Sequence, residues 1–433
     1  MNAILPYDNQ ASIIQSEKIS FWHWAVFLFL LPFDLFYSQL VLISLAFHML
    51  FHLRREKFRS LLHPLIWMPA MYYVVSLITL LFSPDREDGW NIAGRQLMIL
   101  LMPLLFCLDG LDMKKHRTRL LLAFSISSTF SILYLYIDAA TILWHYRLPV
   151  SELFSQQFMN HNFSAPIGIH ATYLSLFAAL SFVFNLERFL LAKRTRWFYL
   201  LSMAVLAGGL LQLSSRAVCI SLLLILTLVI PFFLVRPGIK WMSFAAMLIF
   251  SGVLIGCISQ VESFNIRYIE ELKADIGKKN SNIAVPEPRI DRWRATGEII
   301  RKSPVWGFGL GGEKNLLKEK YFEKKMYISY LNEYNAHNQY LSCMLCLGAF
   351  GLLIYLFILW KGLVLAWKNI DPLFLTFMIL LAVVSLSENI LDVNKGIFFY
   401  SFFFSFFLYG IGSEGVRQPT SELKRFIIKK KIV

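Results

Sequence analysis

The chain has 433 residues, 57% of them hydrophobic and 16% charged, with a formal net charge of +14 and a mean hydropathy of +0.56. That balance excludes an ordinary soluble domain, and apolar runs of the roughly 18–20 residues that cross a bilayer predict an all-α, polytopic membrane protein. The charge does not point to nucleic acid, because most basic residues sit in short loops between apolar runs, where the positive-inside rule puts them.

The first 20 residues are polar and mixed, and no small-residue cleavage site follows, so no secretory signal peptide is expected. About twelve spans are predicted, over 21–36, 39–53, 64–82, 91–108, 119–143, 168–187, 197–213, 216–235, 241–261, 338–360, 372–391 and 395–412. The first two divide at Pro32-Phe33-Asp34, and only Ser214-Ser215 separates the seventh from the eighth. Basic clusters recur two spans apart. They are Arg54, Arg55, Lys57 and Arg59, then Lys114, Lys115, Arg117 and Arg119, then Arg188, Lys193, Arg194 and Arg196. Arg236 with Lys240, Lys361 with Lys368, and a tail holding Lys424, Arg425, Lys429, Lys430 and Lys431 complete the series. Both termini are therefore expected in the cytoplasm. The one long polar stretch, 262–336 between the ninth and tenth spans, is expected outside, on the periplasmic face of a Gram-negative cell. Four parts follow: spans over 1–261, an external loop with short helices over 262–336, three more spans over 337–412, and a basic cytoplasmic tail over 413–433. Cys107, Cys219, Cys257, Cys343 and Cys346 all lie in apolar segments and read as small apolar residues; the CxxC of Cys343 and Cys346 lacks a redox setting.

Within the loop a helical pattern runs from Asn265 to Ile276, followed by a polar link at Lys278-Lys279-Asn280-Ser281-Asn282. After Pro286 and Pro288, a helix is predicted from Arg289 to Lys302, with Ile290, Trp293, Gly297 and Ile300 near one face. Ser303-Pro304 stops it. Gly307, Gly309, Gly311 and Gly312 read as a flexible turn, and Glu313 to Met326 as a charged amphipathic helix. His337 marks the return to the membrane.

Arg289 sits at the turn after Pro288, where helix N-terminal donors add to anion binding. Its planar fork suits phosphate oxygens. Arg292 and Arg294 read as helix-face charges, Arg292 being kept among the neighbours of the site. Arg216 opens a span, which is costly unless the side chain snorkels or meets a partner such as an external phosphate; Arg95 poses the same question. His337 carries an imidazole, a group that can take a proton from a hydroxyl, or it is a hydrogen-bonded interfacial residue. Asn338 adjoins it. His161 and His170 flank the start of the sixth span as second polar contacts or rival bases. Glu388, near the external end of the eleventh span, can hold His337 or an arginine in place. There is no GxxxxGK[ST] loop and no His/Cys or paired-Asp cluster for a metal. The expected chemistry therefore uses no ATP, cofactor or metal, and runs on a donor that is already activated.

Three motifs, in order, carry a resemblance. They are Ser214-Ser215-Arg216-Ala217; Pro288-Arg289-Ile290 with Lys302-Ser303-Pro304 and Gly307-Phe308-Gly309; and His337-Asn338-Gln339-Tyr340-Leu341 with Gly348 and Gly351. Together they resemble the O-antigen ligase and O-antigen polymerase superfamily of bacterial envelope glycosyltransferases. The resemblance implies a GT-C-like helical membrane fold in the inner membrane. It also implies metal-independent transfer of a glycan from undecaprenyl diphosphate to an acceptor hydroxyl at the periplasmic face. Arg216 and Arg289 would bind the diphosphate, and His337 would be the base. The acceptor would be lipid A–core in a ligase, a growing glycan in a polymerase, or a protein in an O-oligosaccharyltransferase. A lipid-linked oligosaccharide flippase is the rival from another class, and mid-span segments nearly free of charge count against it.

Overall fold

The computed structural model describes residues 7–53, 58, 61–62, 64–192, 194–275 and 287–411. The basic cluster at Arg54, Arg55, Lys57 and Arg59, Lys193, the 278–282 link, Pro286 and the 413–433 tail lie outside the described residues. Among those described, every regular element is helical and there is no strand.

The predicted break after the first span is present: α1 (Tyr7–Leu30) ends, and Asp34 caps α2 (Leu35–Phe51) by accepting from Phe36 N at 2.7 Å. Next come α3 (Met71–Leu80), α4 (Arg86–Leu108), α5 (Met113–His145), α6 (Ala171–Leu191) and α7 (Arg196–Leu213). Then α8 (Arg216–Leu234) widens into π turns around Pro231, where an i→i−4 bond is lost. After α9 (Lys240–Ser259), the stretch 262–275 (α10) is helical with a π turn at its centre. The chain continues through α11 (Arg289–Ile300), α12 (Gly312–Glu323), α13 (Gln339–Lys368), α14 (Pro372–Val384) and α15 (Asn394–Ile411). Seven of these, α4 to α9 and α13, are long and apolar enough to cross a membrane. The protein is therefore of the multi-pass helical membrane class. Of the other predicted spans, α2, α3 and α14 are apolar but shorter.

At the centre stands α15. Phe398, Phe399, Phe402, Phe403, Phe404, Phe406 and Phe407 are all buried, so this helix is enclosed on every side. It packs chiefly on α4, while α1 lies against α2 and α5, α6 against α7, and α14 against α8 and α13. At the N-terminal end of α14, Arg117 of α5 forks onto Asp371 at 2.6 and 2.7 Å, and Asp371 also caps that helix. The C-terminal end of α14 leads to the site described below.

Between α9 and α13, α11 and α12 pack on α13 around a small core of Ala295, Ile299, Leu317, Tyr321 and Leu345. Two expectations fail here. The inward face of α11 is Arg292, Ala295, Thr296, Ile299 and Ile300, so of the expected face of Ile290, Trp293, Gly297 and Ile300 only Ile300 is buried. Small residues let α11 approach α13 closely, and Trp293 instead donates from its edge to Ala336 O at 3.0 Å. Nor is the glycine run a flexible turn. The α13 helix is broken at Gly348 (φ 66°), where Ala349 N leaves the ladder for Pro304 O and Val305 O at 3.0 and 3.1 Å. The freed carbonyls of Leu345 and Cys346 accept from Phe308 N at 2.9 Å and Gly309 N at 2.8 Å. A Cβ on Gly348 would stand 2.1 Å from Val305 O, and one on Gly307 2.5 Å from Gly348 N. Irregular backbone of this kind persists at membrane depth only when protein satisfies its polar groups, and here residues 304–309 do so.

Candidate active site

The α7–α8 turn is made by Ser214 in a left-handed conformation (φ 44°) followed by extended Ser215, which places Arg216 at the first position of α8. Its guanidinium pairs with Asp275 at the end of α10, while its Nη1 is buried with no partner among the described residues. Arg289 opens α11 directly after extended Pro288. Its Nε lies 3.6 Å from the same Asp275 oxygen, and its Nη1 donates to Ser387 O at 3.0 Å. Burial lowers the Arg289 pKa from its ordinary value, against the pull of Glu388 and Asp275. Two arginines from separate motifs thus share one carboxylate.

His337 occupies a left-handed position (φ 46°) immediately before α13. The backbone around it is bonded on both sides. Ala336 N donates to Glu313 Oε1 at 2.9 Å, and His337 N to Asn335 Oδ1 at 3.0 Å. Asn338 N donates to Asn389 Oδ1 at 2.8 Å, and Gln339 N to Ser385 O at 2.8 Å. Asn338 caps α13 by accepting from Tyr340 N and Leu341 N at 3.0 and 3.1 Å. Asn389 Nδ2 joins the frame together by donating to Glu313 at 3.2 Å and to Asp392 at 2.9 Å, and Ser342 Oγ donates to Glu313 as well.

The His337 ring presents Nδ1 to Glu388 Oε2 at 3.6 Å, and Thr172 Oγ1 donates to the other Glu388 oxygen at 3.4 Å. Burial pushes the Glu388 carboxyl up, but His337, His170 and Arg289 outweigh it and hold the group below its ordinary value. Glu388 lies in the turn after α14 rather than inside a span, because the helix ends at Val384. A carboxylate at Nδ1 favours the tautomer whose Nε2 is free to accept a proton.

His170 caps α6, its Nδ1 accepting from Thr172 N at 3.3 Å, and its ring stands 4.1 Å from that of His161. Burial pushes it down to about 4, which makes it a weak proton acceptor. Arg292 is not a solvated charge: it is buried, with its guanidinium 5.1 Å from the Tyr334 ring and that ring 5.9 Å from His337. Arg294, with 70% of its side chain exposed, pairs with Asp291 on the open face as expected. Arg95 keeps a buried Nε without a partner inside α4, and its charge bears on Asp392 rather than on the two paired arginines.

Asp275, Glu313, Asn389 and Asp392 were not singled out from the sequence. Glu313 looked like one charge among many on a charged helix; the Gly311-Gly312 corner buries it. Asp275 has no local signal at all, since only the packing of α10 beside the α7–α8 turn brings it to Arg216.

The arrangement offers a proton acceptor, two fixed cations and an orphaned donor within one contact network. No curated protein matches the chain. A family model described as O-Antigen ligase matches residues 201–356, a stretch holding Arg216, Arg289 and His337. That match supports the resemblance to the O-antigen ligase and polymerase superfamily carried by the motifs.

Proposed function

We propose that the protein transfers a glycan from undecaprenyl diphosphate to an acceptor hydroxyl, that of lipid A–core, at the periplasmic face of the bacterial inner membrane. In this reading twelve helices span the membrane, both termini are cytoplasmic and 262–336 lies outside. His337 Nε2 takes the proton of the acceptor hydroxyl while Glu388 orients the ring through Nδ1. The acceptor oxygen bonds to the anomeric carbon from the face opposite the diphosphate. The carbon–oxygen bond to the diphosphate breaks, and the anomeric configuration inverts. Arg216 and Arg289 meet the charge that develops on the leaving diphosphate, the kind of electrostatic contribution that is usually the largest in catalysis.

The observation that carries this reading is the convergence of Arg216 and Arg289 on Asp275 with a buried Nη1 left over. Asp275 is shared between two cations, and an unsatisfied buried donor costs roughly 1–3 kcal/mol until something accepts from it. A diphosphate supplies both the charge and the acceptor.

The test is complementation of a strain lacking its O-antigen ligase with wild type and with Arg216→Ala, Arg289→Ala and His337→Ala, read on a lipopolysaccharide gel at matched protein levels. Full-length O-chain with wild type and bare core with all three variants is the expected outcome. Core capped by a single repeat unit in a deletion strain would move the assignment to a polymerase. Three silent variants would dismiss the site.

A further inference from the structure

A cleft of about 220 Å³ lies between residues 156–162 and α10, lined by Gln156, Asn160, His161, Asn162, Arg267 and Glu271 together with Met159. Every lining residue but Met159 carries a polar or charged side-chain group, although much of the exposed wall is their carbon framework. Arg267 pairs with Glu271 and keeps a buried Nε with no partner among the described residues. Asn160 is left-handed (φ 55°), and its N donates to Gln212 O at 2.9 Å, which ties this wall to the end of α7. Asn162 Nδ2 donates to Gln156 O at 3.2 Å, and the residue lines the cleft. Burial lowers His161 from its ordinary value, so the ring is a neutral donor and acceptor.

Each wall leads to one half of the site. Along α10, Arg267, Glu271 and Asp275 follow at steps of four residues, about 6 Å of helix rise each, and Asp275 holds both Arg216 and Arg289. On the other wall, the His161 ring stands 4.1 Å from His170, which caps Thr172. Thr172 donates to Glu388, and Glu388 faces His337. The cleft is therefore linked along α10 to the carboxylate that holds the arginines, and through His170, Thr172 and Glu388 to the base. The volume falls below the roughly 300–1,000 Å³ of drug-sized ligand sites, so it suits one small ring rather than a chain. Carboxylate, amide, imidazole and guanidinium groups are the donors and acceptors that read sugar hydroxyls. The larger cavity at the C-terminal end of α5, about 740 Å³, is lined mainly by Tyr136, Leu143, Trp144, Val150 and Leu153 and lacks that density of polar groups.

Resting on Arg216 and Arg289 as the diphosphate ligands, we propose that this cleft is the subsite for the saccharide bonded directly to the donor diphosphate, read by Arg267, Glu271, His161 and Asn162. The sugar joined to a phosphate must lie within a bond or two of it, and the α10 wall starts one helical turn from Asp275.

The experiment uses full-length protein in lipid nanodiscs with two probes. One is the native lipid-linked glycan extracted from a ligase-deficient strain; the other is undecaprenyl diphosphate without sugar. In Glu271→Gln and, separately, Asn162→Ala, the KM for the glycan-linked donor is expected to rise about tenfold, the effect of one lost hydrogen bond. Affinity for the bare carrier and the acceptor KM stay at wild-type values, which also reports that the variants are folded. An unchanged donor KM in both variants overturns the subsite. So does an equal loss of affinity for the bare carrier, or a rise in the acceptor KM alone, which would make the cleft part of the acceptor path. Arg289→Ala binding the bare carrier as well as wild type would instead sink the diphosphate assignment, whatever the cleft variants do.

Discussion

His337 sits in a turn whose backbone is hydrogen-bonded on both sides, whereas Arg216 ends in a buried Nη1 that none of the described residues meets. The left-handed backbone at His337 costs on the order of 1–3 kcal/mol, and the bonds from Ala336 and Asn338 into the Glu313–Asn389 frame offset it. The arginine side carries its cost openly. Proton transfer requires a base at hydrogen-bond reach of one atom, so the base is fixed in the protein's own network. Charge binding requires donors left over, so the cations are only partly neutralised by Asp275. A preformed base beside an incompletely satisfied cation pair is the division of labour expected when the ligand brings the missing negative charge.

The largest test of that division compares His337→Ala with Arg289→Lys. Removing the base should lower kcat by roughly 10²–10⁴-fold while binding of the lipid-linked donor stays near wild type. Lys keeps the charge of Arg289 but not the fork that reaches Asp275 and Ser387 together. Donor affinity and kcat should then both fall, by roughly 10–100-fold in kcat/KM, the span of one or two charge-assisted bonds. Equilibrium binding of the donor beside initial rates separates the two. If His337→Ala loses donor binding as severely as Arg289→Lys, the base and cation roles have been assigned to the wrong halves.

Much of this was legible in the chain, and the parts that were not share a cause. The apolar runs place the helices, and Asp34, Ser214-Ser215 and Ser303-Pro304 fall where helices stop or turn, because span length and capping are local properties. Arg216, Arg289 and His337 stand out because a charge or imidazole at a helix start is locally conspicuous. The break at Gly348 was invisible, since an apolar run with one glycine reads as a straight span until residues 304–309 are seen in the gap. Glu313 is hidden among charged neighbours, Arg292 reads as a helix-face charge beside the site, and Asp275 has no motif. Each of these depends on which face another helix covers, and no short-range pattern carries that information.

Glu388 tests how far the base depends on its orienting partner. Glu388→Gln keeps the size of the side chain and an amide oxygen that can accept from Thr172, but removes the anion facing His337 Nδ1. An approximately tenfold fall in kcat with an unchanged donor KM is expected, with Glu388→Asp recovering part of it. A rise in donor KM of the same size would place Glu388 with the arginines, to which Ser387 O connects it, rather than with the base.

The smallest expected effect concerns the frame itself. Asp392 accepts from Asn389 at 2.9 Å, and Ser342 bonds both to Glu313 and, at 3.5 Å, to Asp392. The Asp392 carboxyl is crowded by protein although solvent still partly reaches it. Burial first, and then the neighbouring Glu313, push it up to about 7. A carboxyl raised in the folded state holds a proton that the unfolded chain has released. The folded state therefore binds more protons between the ordinary carboxylate range and about pH 7, and stability falls as pH rises through that window. Asp392→Asn removes the titration while keeping the shape and an acceptor for Asn389. The drop in melting temperature of purified protein between about pH 5 and about pH 8 should therefore be shallower in the variant than in wild type. Parallel curves for the two proteins would mean that Asp392 is ionised throughout and that Arg95, whose charge opposes the shift, governs it instead.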